Sequence, residues 1–125
     1  MFTIGKLAKL TDSSVETIRY YQRIELIRVP EAQGNYRYYD QQDVETLNFI
    51  QKGKDAGLQL NEIKELLHLQ HSDKDKVRHV IEQRLEIIDQ RISELKALKQ
   101  RLNIWVNECK TTTDQCCPIL KELKQ

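Results

Sequence analysis

The sequence predicts a mainly α protein with a winged helix-turn-helix head, a helical hairpin and a long dimerisation helix. Three observations predict it. All four glycines and one of the two prolines lie within residues 1–70, whereas residues 75–108 contain neither, so turns are confined to the front of the chain. Apolar residues in that front part recur at three- and four-residue spacings between turn-forming residues. Behind them Ile81, Leu85, Ile88, Ile92, Leu95, Leu102 and Val106 fall mostly at alternating spacings of four and three, which is the pattern of a coiled-coil seam.

In the head, "TIGKLAKL" places Ile4, Leu7, Ala8 and Leu10 on one helical face. Ser13 with Glu16 three residues later matches a capping box and sets the start of a second helix in "TDSSVETIRYYQRIEL". Two short helices across so brief a turn form a helix-turn-helix candidate. Such hairpins also occur in proteins that never touch DNA, so the pattern alone leaves function open. The second helix brings Thr17, Arg19 and Tyr20 or Tyr21 near one another, a mixture that reaches phosphates and base edges.

Gly34-Asn35 then separates Val29 from Tyr36, Tyr38 and Tyr39, which predicts a short hairpin or wing. Arg37, set between tyrosines, has the chemistry to pair with a phosphate while a phenol donates to the next. For Tyr20 and Tyr38, packing against the helices competes with DNA contact. Asp40 is placed to cap a third helix with Asp43 in its first turn, Val44, Leu47 and Ile50 on its buried side and Gly57 as its stop. "LQLNEIKELLHL" predicts a fourth helix with Leu60, Ile63, Leu66 and Leu67 facing inward. These two helices make a second hairpin.

From Lys74 to Asn107 the seam predicts a helix about 50 Å long. Lys99 interrupts one register, and Leu98 and Trp105 offer a neighbouring one. A small head cannot cover so long a stripe, and a second copy of the same helix can, so the chain is expected to form a homodimer. Periodicity does not say whether the two helices run parallel or antiparallel. The resulting boundaries are 1–70 for the head with its hairpin, 74–108 for the dimerisation helix and 109–125 for a loop and tail.

Charge narrows the function only slightly. The 125 residues carry 20 basic and 19 acidic side chains, so the net charge of +1 announces no nucleic-acid partner and DNA binding must rest on local pattern. No signal-peptide run and no stretch of roughly 18 apolar residues is present, which implies a soluble cytoplasmic protein without a membrane partner. The three cysteines, Cys109, Cys116 and Cys117, crowd into "NECKTTTDQCCPIL". An odd set of thiols in a reducing compartment is a poor disulfide framework.

The order of "ETIRYYQ", the wing "GNYRYY", the hairpin "FIQKGKDAGLQLNEIKELL", a long helix and a terminal cysteine segment resembles the MerR family of transcription regulators over essentially the whole chain. The resemblance implies dimerisation through an antiparallel coiled coil. It also implies binding to promoter double-stranded DNA whose two recognition elements are too far apart. The ligand-bound dimer would bend and untwist that DNA so that RNA polymerase engages both elements. Carried over by motif, Arg19, Tyr21, Tyr36 and Arg37 match DNA-contacting positions, as do Thr17 and Tyr39. Glu25 stands in "RIEL" where many members have glycine, which predicts a differently shaped connection from helix to wing.

The same resemblance gives the cysteines a role, because "CPIL" is similar to the end of the family's metal-binding loop. Cys109 and Cys117, eight positions apart, would close on one soft ion, namely Cu(I), Ag(I), Zn(II), Cd(II), Pb(II) or Hg(II) rather than Mg(II) or Ca(II). In divalent-responsive members a third cysteine comes from the start of the partner's long helix, and copper-responsive members have a small uncharged residue there. Lys74 occupies that position here. A lysine would balance the negative charge of a two-thiolate Cu(I) or Ag(I) site. Alternatively Cys116 supplies a third sulfur suited to Cd, Pb, Hg or Zn, although adjacent cysteines seldom both face one ion. His71 and His79 are further candidates for Zn(II), against the plainer reading of solvated histidines. The three sulfurs tilt the reading toward a divalent soft metal, with Cu(I)/Ag(I) sensing or a redox switch through a Cys109 disulfide as alternatives. The chain has no Gly-rich phosphate loop, paired catalytic carboxylates or zinc-protease motif, so an enzyme is not expected. A coiled-coil adaptor would leave Arg19, Arg37 and the wing tyrosines without a role.

Overall fold

The computed structural model describes residues 1–113 and 117–125. In order the elements are α1 (Ile4–Leu10), α2 (Val15–Arg23), β1 (Ala32–Gln33), β2 (Tyr36–Arg37), α3 (Gln41–Asp55), α4 (Leu60–Leu67), α5 (Lys74–Thr111) and α6 (Pro118–Leu123). The chain divides into two units, Met1–Val80 and Ile81–Gln125. None of the described helices is long and apolar enough to cross a membrane.

In the first unit Thr3 caps α1, its hydroxyl accepting the Lys6 N–H at 3.3 Å. Leu7 and Ala8 are buried, but Leu10 is not, contrary to its expected place. At 100° per residue it points roughly 110° away from the Leu7–Ala8 direction. The cap of α2 also falls one residue later than expected. Ser14 accepts the Thr17 N–H at 3.0 Å, while the Ser13 hydroxyl is engaged in the turn, donating to the Thr11 carbonyl at 3.3 Å. Ile18 and Tyr21 turn inward from α2 and meet Leu7, Leu26, Tyr39, Val44, Leu47, Ile50 and Ile63 in one core.

Three helices end in the same corner. After α1, α2 and α3 the residues Asp12, Glu25 and Gly57 have φ of 52°, 60° and 89°, the left-handed region. In each corner the following N–H reaches back to close the last turn: Ser13 to Ala8, Leu26 to Tyr21 and Leu58 to Gly53, at 2.9, 2.9 and 3.0 Å. This is the Schellman arrangement, for which glycine has no Cβ penalty. The differently shaped connection from helix to wing that Glu25 predicted is therefore not found: Glu25 adopts the glycine-like conformation and carries the strain.

The wing is a two-strand antiparallel ribbon pairing Ala32 with Arg37 and Gln33 with Tyr36. Its two-residue tip needs a positive φ, which Gly34 supplies at 66°. Val29 lies outside the strands. Phe2 and Tyr39 exchange backbone hydrogen bonds, each 2.7 Å, tying the residue before the α1 cap to the wing's exit. Asp40 then caps α3 in a reciprocal box with Asp43. Leu60, Leu67 and fully buried Ile63 bring α4 onto the same core.

α5 contains 38 residues, running past the expected end at Asn107 and the expected boundary at 108. "NECKT" offers no helix breaker, and the Thr111 hydroxyl donates back to the Asn107 carbonyl at 3.0 Å within the final turn. Cys109 therefore lies inside the helix. Cys117 is the N-cap of α6, followed by Pro118 at the first helical position, where its missing N–H is harmless.

Candidate nucleic-acid interface and thiol pair

The N-cap of α1, α2 and the wing enclose a cleft of about 570 Å³ lined by Thr3, Arg19, Gln22, Asn35, Tyr36 and Arg37, with Tyr39 and Ile4 at its base. Three residues chosen from the sequence, Arg19, Tyr36 and Arg37, thus share one surface. All three are exposed. The Arg37 guanidinium donates to the Pro30 carbonyl, which anchors the side chain to the wing's base. Two cations beside hydroxyl and amide donors make a surface suited to phosphate oxygens. Thr17 is half-buried at the start of α2 and accepts from the Ser14 hydroxyl at 2.8 Å; it does not line the cleft.

Tyr21 and Tyr39, grouped by the sequence with these surface residues, are core residues at 5% and 2% exposure. The Tyr21 phenol accepts from the Lys54 ammonium at 3.3 Å, and the Tyr39 phenol accepts from the Gln22 amide at 2.8 Å. Any phosphate contact by either is restricted to its phenol edge. Tyr20 stands outside instead, with the Arg23 guanidinium 5.8 Å from its ring centre. Helical phase could have separated the two tyrosines, because Tyr21 follows the apolar Ile18 by three positions and Tyr20 follows the polar Glu16 by four.

Sequence reasoning missed the pair at the wing's root. Arg28 grips Asp43 in a two-pronged contact, Nε to Oδ1 at 2.8 Å and Nη2 to Oδ2 at 2.6 Å, and Asp43 Oδ2 also accepts the Asp40 N–H at 2.9 Å. Burial alone would push the Asp43 carboxyl up. The Arg28 hydrogen bond and charge, together with the Asp40 contacts, outweigh it and hold the carboxyl below its ordinary range. Nothing in a separation of fifteen residues signals such a pair.

At the other end of the chain Cys109, in the last turns of α5, and Cys117, the N-cap of α6, both carry free thiols. The Cys117 thiol is held below its ordinary pKa first by the Leu120 and Ile119 N–H groups, against a small opposing desolvation, and then by Cys109. Two free thiols eight positions apart, one of them biased toward thiolate, fit a soft metal ion and not a hard one. The third candidate, Cys116, lies outside the described residues. Lys74 and His71 line an open groove of about 820 Å³ with Phe49, Leu66 and Val77. His79 is exposed on α5.

Comparison with known proteins places these surfaces in a family. The family described as MerR HTH family regulatory protein matches residues 2–70, and that described as MerR, DNA binding, matches residues 44–104. The transcriptional regulator HmrR of Rhizobium leguminosarum bv. viciae is 39% identical across 96% of this chain and 95% of its own. The lead(II)-bound regulator PbrR691 of Ralstonia metallidurans CH34 is similar in fold with a TM-score of 0.84, at 29% identity over 98% of this chain and 99% of that one. The mercury(II)-bound MerR of Bacillus megaterium MB1 has a TM-score of 0.72 and 33% identity over 99% of this chain and 100% of that one. The chain belongs to the MerR family of helix-turn-helix regulatory proteins.

Proposed function

We propose that this protein is a cytoplasmic homodimeric regulator that binds promoter DNA through α2 and the wing and responds to a soft metal ion at Cys109 and Cys117. The observation that carries the metal reading is the pair of free thiols, eight positions apart in sequence, that stand in the last turns of α5 and at the start of α6. The α2–wing cleft supports the DNA reading. Membership of this family makes the chain a DNA-binding transcription regulator and not an enzyme.

Cys109 and Cys117 would hold the ion, and the bound ion would supply a cross-link between the two helices that bear them. The Ile119 and Leu120 N–H groups favour the Cys117 thiolate that ligation requires. Arg19, Tyr36 and Arg37 hold the DNA backbone, and the output is a change in the shape of the promoter that RNA polymerase reads. The lead- and mercury-bound relatives favour a divalent soft ion, with Cys116 as third sulfur. The described pair of sulfurs favours Cu(I) or Ag(I) as a second reading, with Lys74 balancing the charge.

Anaerobic titration of the reduced dimer with Cd(II) and with Cu(I), each against a competing chelator, separates these ions. Tight Cd(II) binding that Cys116→Ser weakens supports the divalent reading; tight Cu(I) with weak Cd(II) supports the second. In a reporter assay Cys109→Ser and Cys117→Ser should each abolish metal-dependent transcription while leaving the DNA footprint intact. Full activation by either variant removes that sulfur from the site, and failure of both ions to bind would leave the disulfide switch.

A further inference from the structure

The exposed face of α2 carries a residue that phosphate binding does not explain. Glu16, Arg19, Tyr20 and Arg23 are all exposed, and their spacing of three, four and seven sets them in one stripe along the helix. Arg19 also lines the cleft shared with Arg37 and Tyr36, so the stripe belongs to the DNA-facing side proposed above, and the inference rests on that reading. Glu16 is the stripe's one carboxylate and has no ion-pair partner among the described residues. The helix dipole favours an acid in the first turn, but it does not favour this face over the others. Arg19 and Arg23 gain by approaching a polyanion, and Glu16 is repelled by it.

That repulsion is offset where a carboxylate accepts a hydrogen bond from a base. In the major groove cytosine presents the N4 amino group as a donor, whereas guanine and thymine present acceptors and adenine sets its amino group beside the N7 acceptor. A recognition helix in a helix-turn-helix protein also contacts base edges with its N-terminal residues, and Glu16 is the second residue of α2. We propose that Glu16 is a specificity-determining residue that selects cytosine at one position of each operator half-site.

The test is selection from a pool of randomised duplexes by the full-length dimer, read by sequencing and followed by equilibrium binding to single-base variants of the selected site. The wild type should select cytosine at one position in each half-site and discriminate against the other bases there by about 5- to 150-fold. Glu16→Gln should move that preference to adenine, whose N6/N7 edge suits an amide. Glu16→Ala should flatten the preference at that position and leave the neighbouring positions unchanged. If both variants keep the wild-type profile, or tighten binding to every sequence equally, Glu16 only repels phosphate and the proposal falls. Arg19→Ala is the control for the reading beneath it. If that variant binds as tightly as the wild type with the same salt dependence, α2 is not the DNA face and both ideas fall together.

Discussion

The two units of the chain solve the burial of apolar surface in opposite ways. In Met1–Val80 short helices fold back on one another, and the core residues from Leu7 to Ile63 are almost wholly shielded by their own chain. In Ile81–Gln125 no hydrophobic residue among those described is buried, and the seam from Ile81 to Val106 stays 37–55% exposed. Both stretches have amphipathic helical spacing, so periodicity alone does not make a core. The difference is a turn: the front part has glycine-like corners that return the chain on itself, and α5 has none. The front unit's stability is intramolecular, whereas the exposed seam is the face that a second chain is proposed to cover.

The sharpest way to break this contrast is to charge the seam. Ile88→Asp with Ile92→Asp places two carboxylates per chain where a second helix is proposed to pack. Each lost aliphatic contact is worth about 1.5–3 kcal/mol, and a dimer loses four. The dissociation constant should rise at least about ten-thousandfold. Sedimentation equilibrium would show it, and an unaltered dimer would place the interface elsewhere. Circular dichroism should show loss of α5 signal while the first unit keeps its own.

Ile63→Ala tests the other side of the comparison. Ile63 is fully buried on α4, so truncation should lower the unfolding free energy of the head by about 2–5 kcal/mol. The dissociation constant of the dimer should hardly move. A parallel loss of dimer affinity would mean that the head's core and the seam are coupled, against the division drawn here.

Asp43→Asn should produce a smaller effect, about 2 kcal/mol, through loss of the charge that Arg28 and the α3 cap both use. The pH dependence has a definite sign. Because the carboxyl is held below its ordinary range in the folded state, its contribution is present above the unfolded pKa of about 4 and is lost as pH falls through the folded value. Denaturant titrations from pH 7 downward should show the wild type losing stability below about pH 4. The variant should lack that share of the slope, and equal slopes would remove the ion pair from the ledger of acid stability.

How far this could be read in advance depends on range. Features set by neighbours in sequence were legible: the Asp40 cap, the Gly34 tip, the Gly57 stop and the inward residues of α3. Arg19, Tyr36 and Arg37 were also legible as a group, since their residue types suit phosphate wherever the fold gathers them. Contacts between distant segments were not, among them Arg28 with Asp43 and Phe2 with Tyr39. Tyr21 and Tyr20 show an intermediate case. Their chemistry is identical and adjacent positions on a helix point about 100° apart, so only the phase set by Ile18 distinguishes core from surface. For the thiols, spacing and resemblance brought Cys109 and Cys117 together, but the N–H groups that bias Cys117 depend on α6 beginning at Pro118.

The smallest predicted effect falls on the corner where sequence and structure differ in an informative way. Asp12, Glu25 and Gly57 occupy the same left-handed position in three successive corners. Aspartate tolerates it better than most residues and glycine adopts it freely, whereas a glutamate side chain pays about 1–2 kcal/mol in steric strain. Its charge also sits at the C-terminal end of α2, where the helix dipole disfavours an acid. Glu25→Gly should therefore raise the head's unfolding free energy by about 1 kcal/mol, since the added freedom of the unfolded glycine takes back part of the relief. Chemical denaturation measures this directly. A decrease would mean that Glu25 contributes a compensating interaction in the corner, and the rule that α2 ends on geometry alone, whatever residue occupies the turn, would have to be given up.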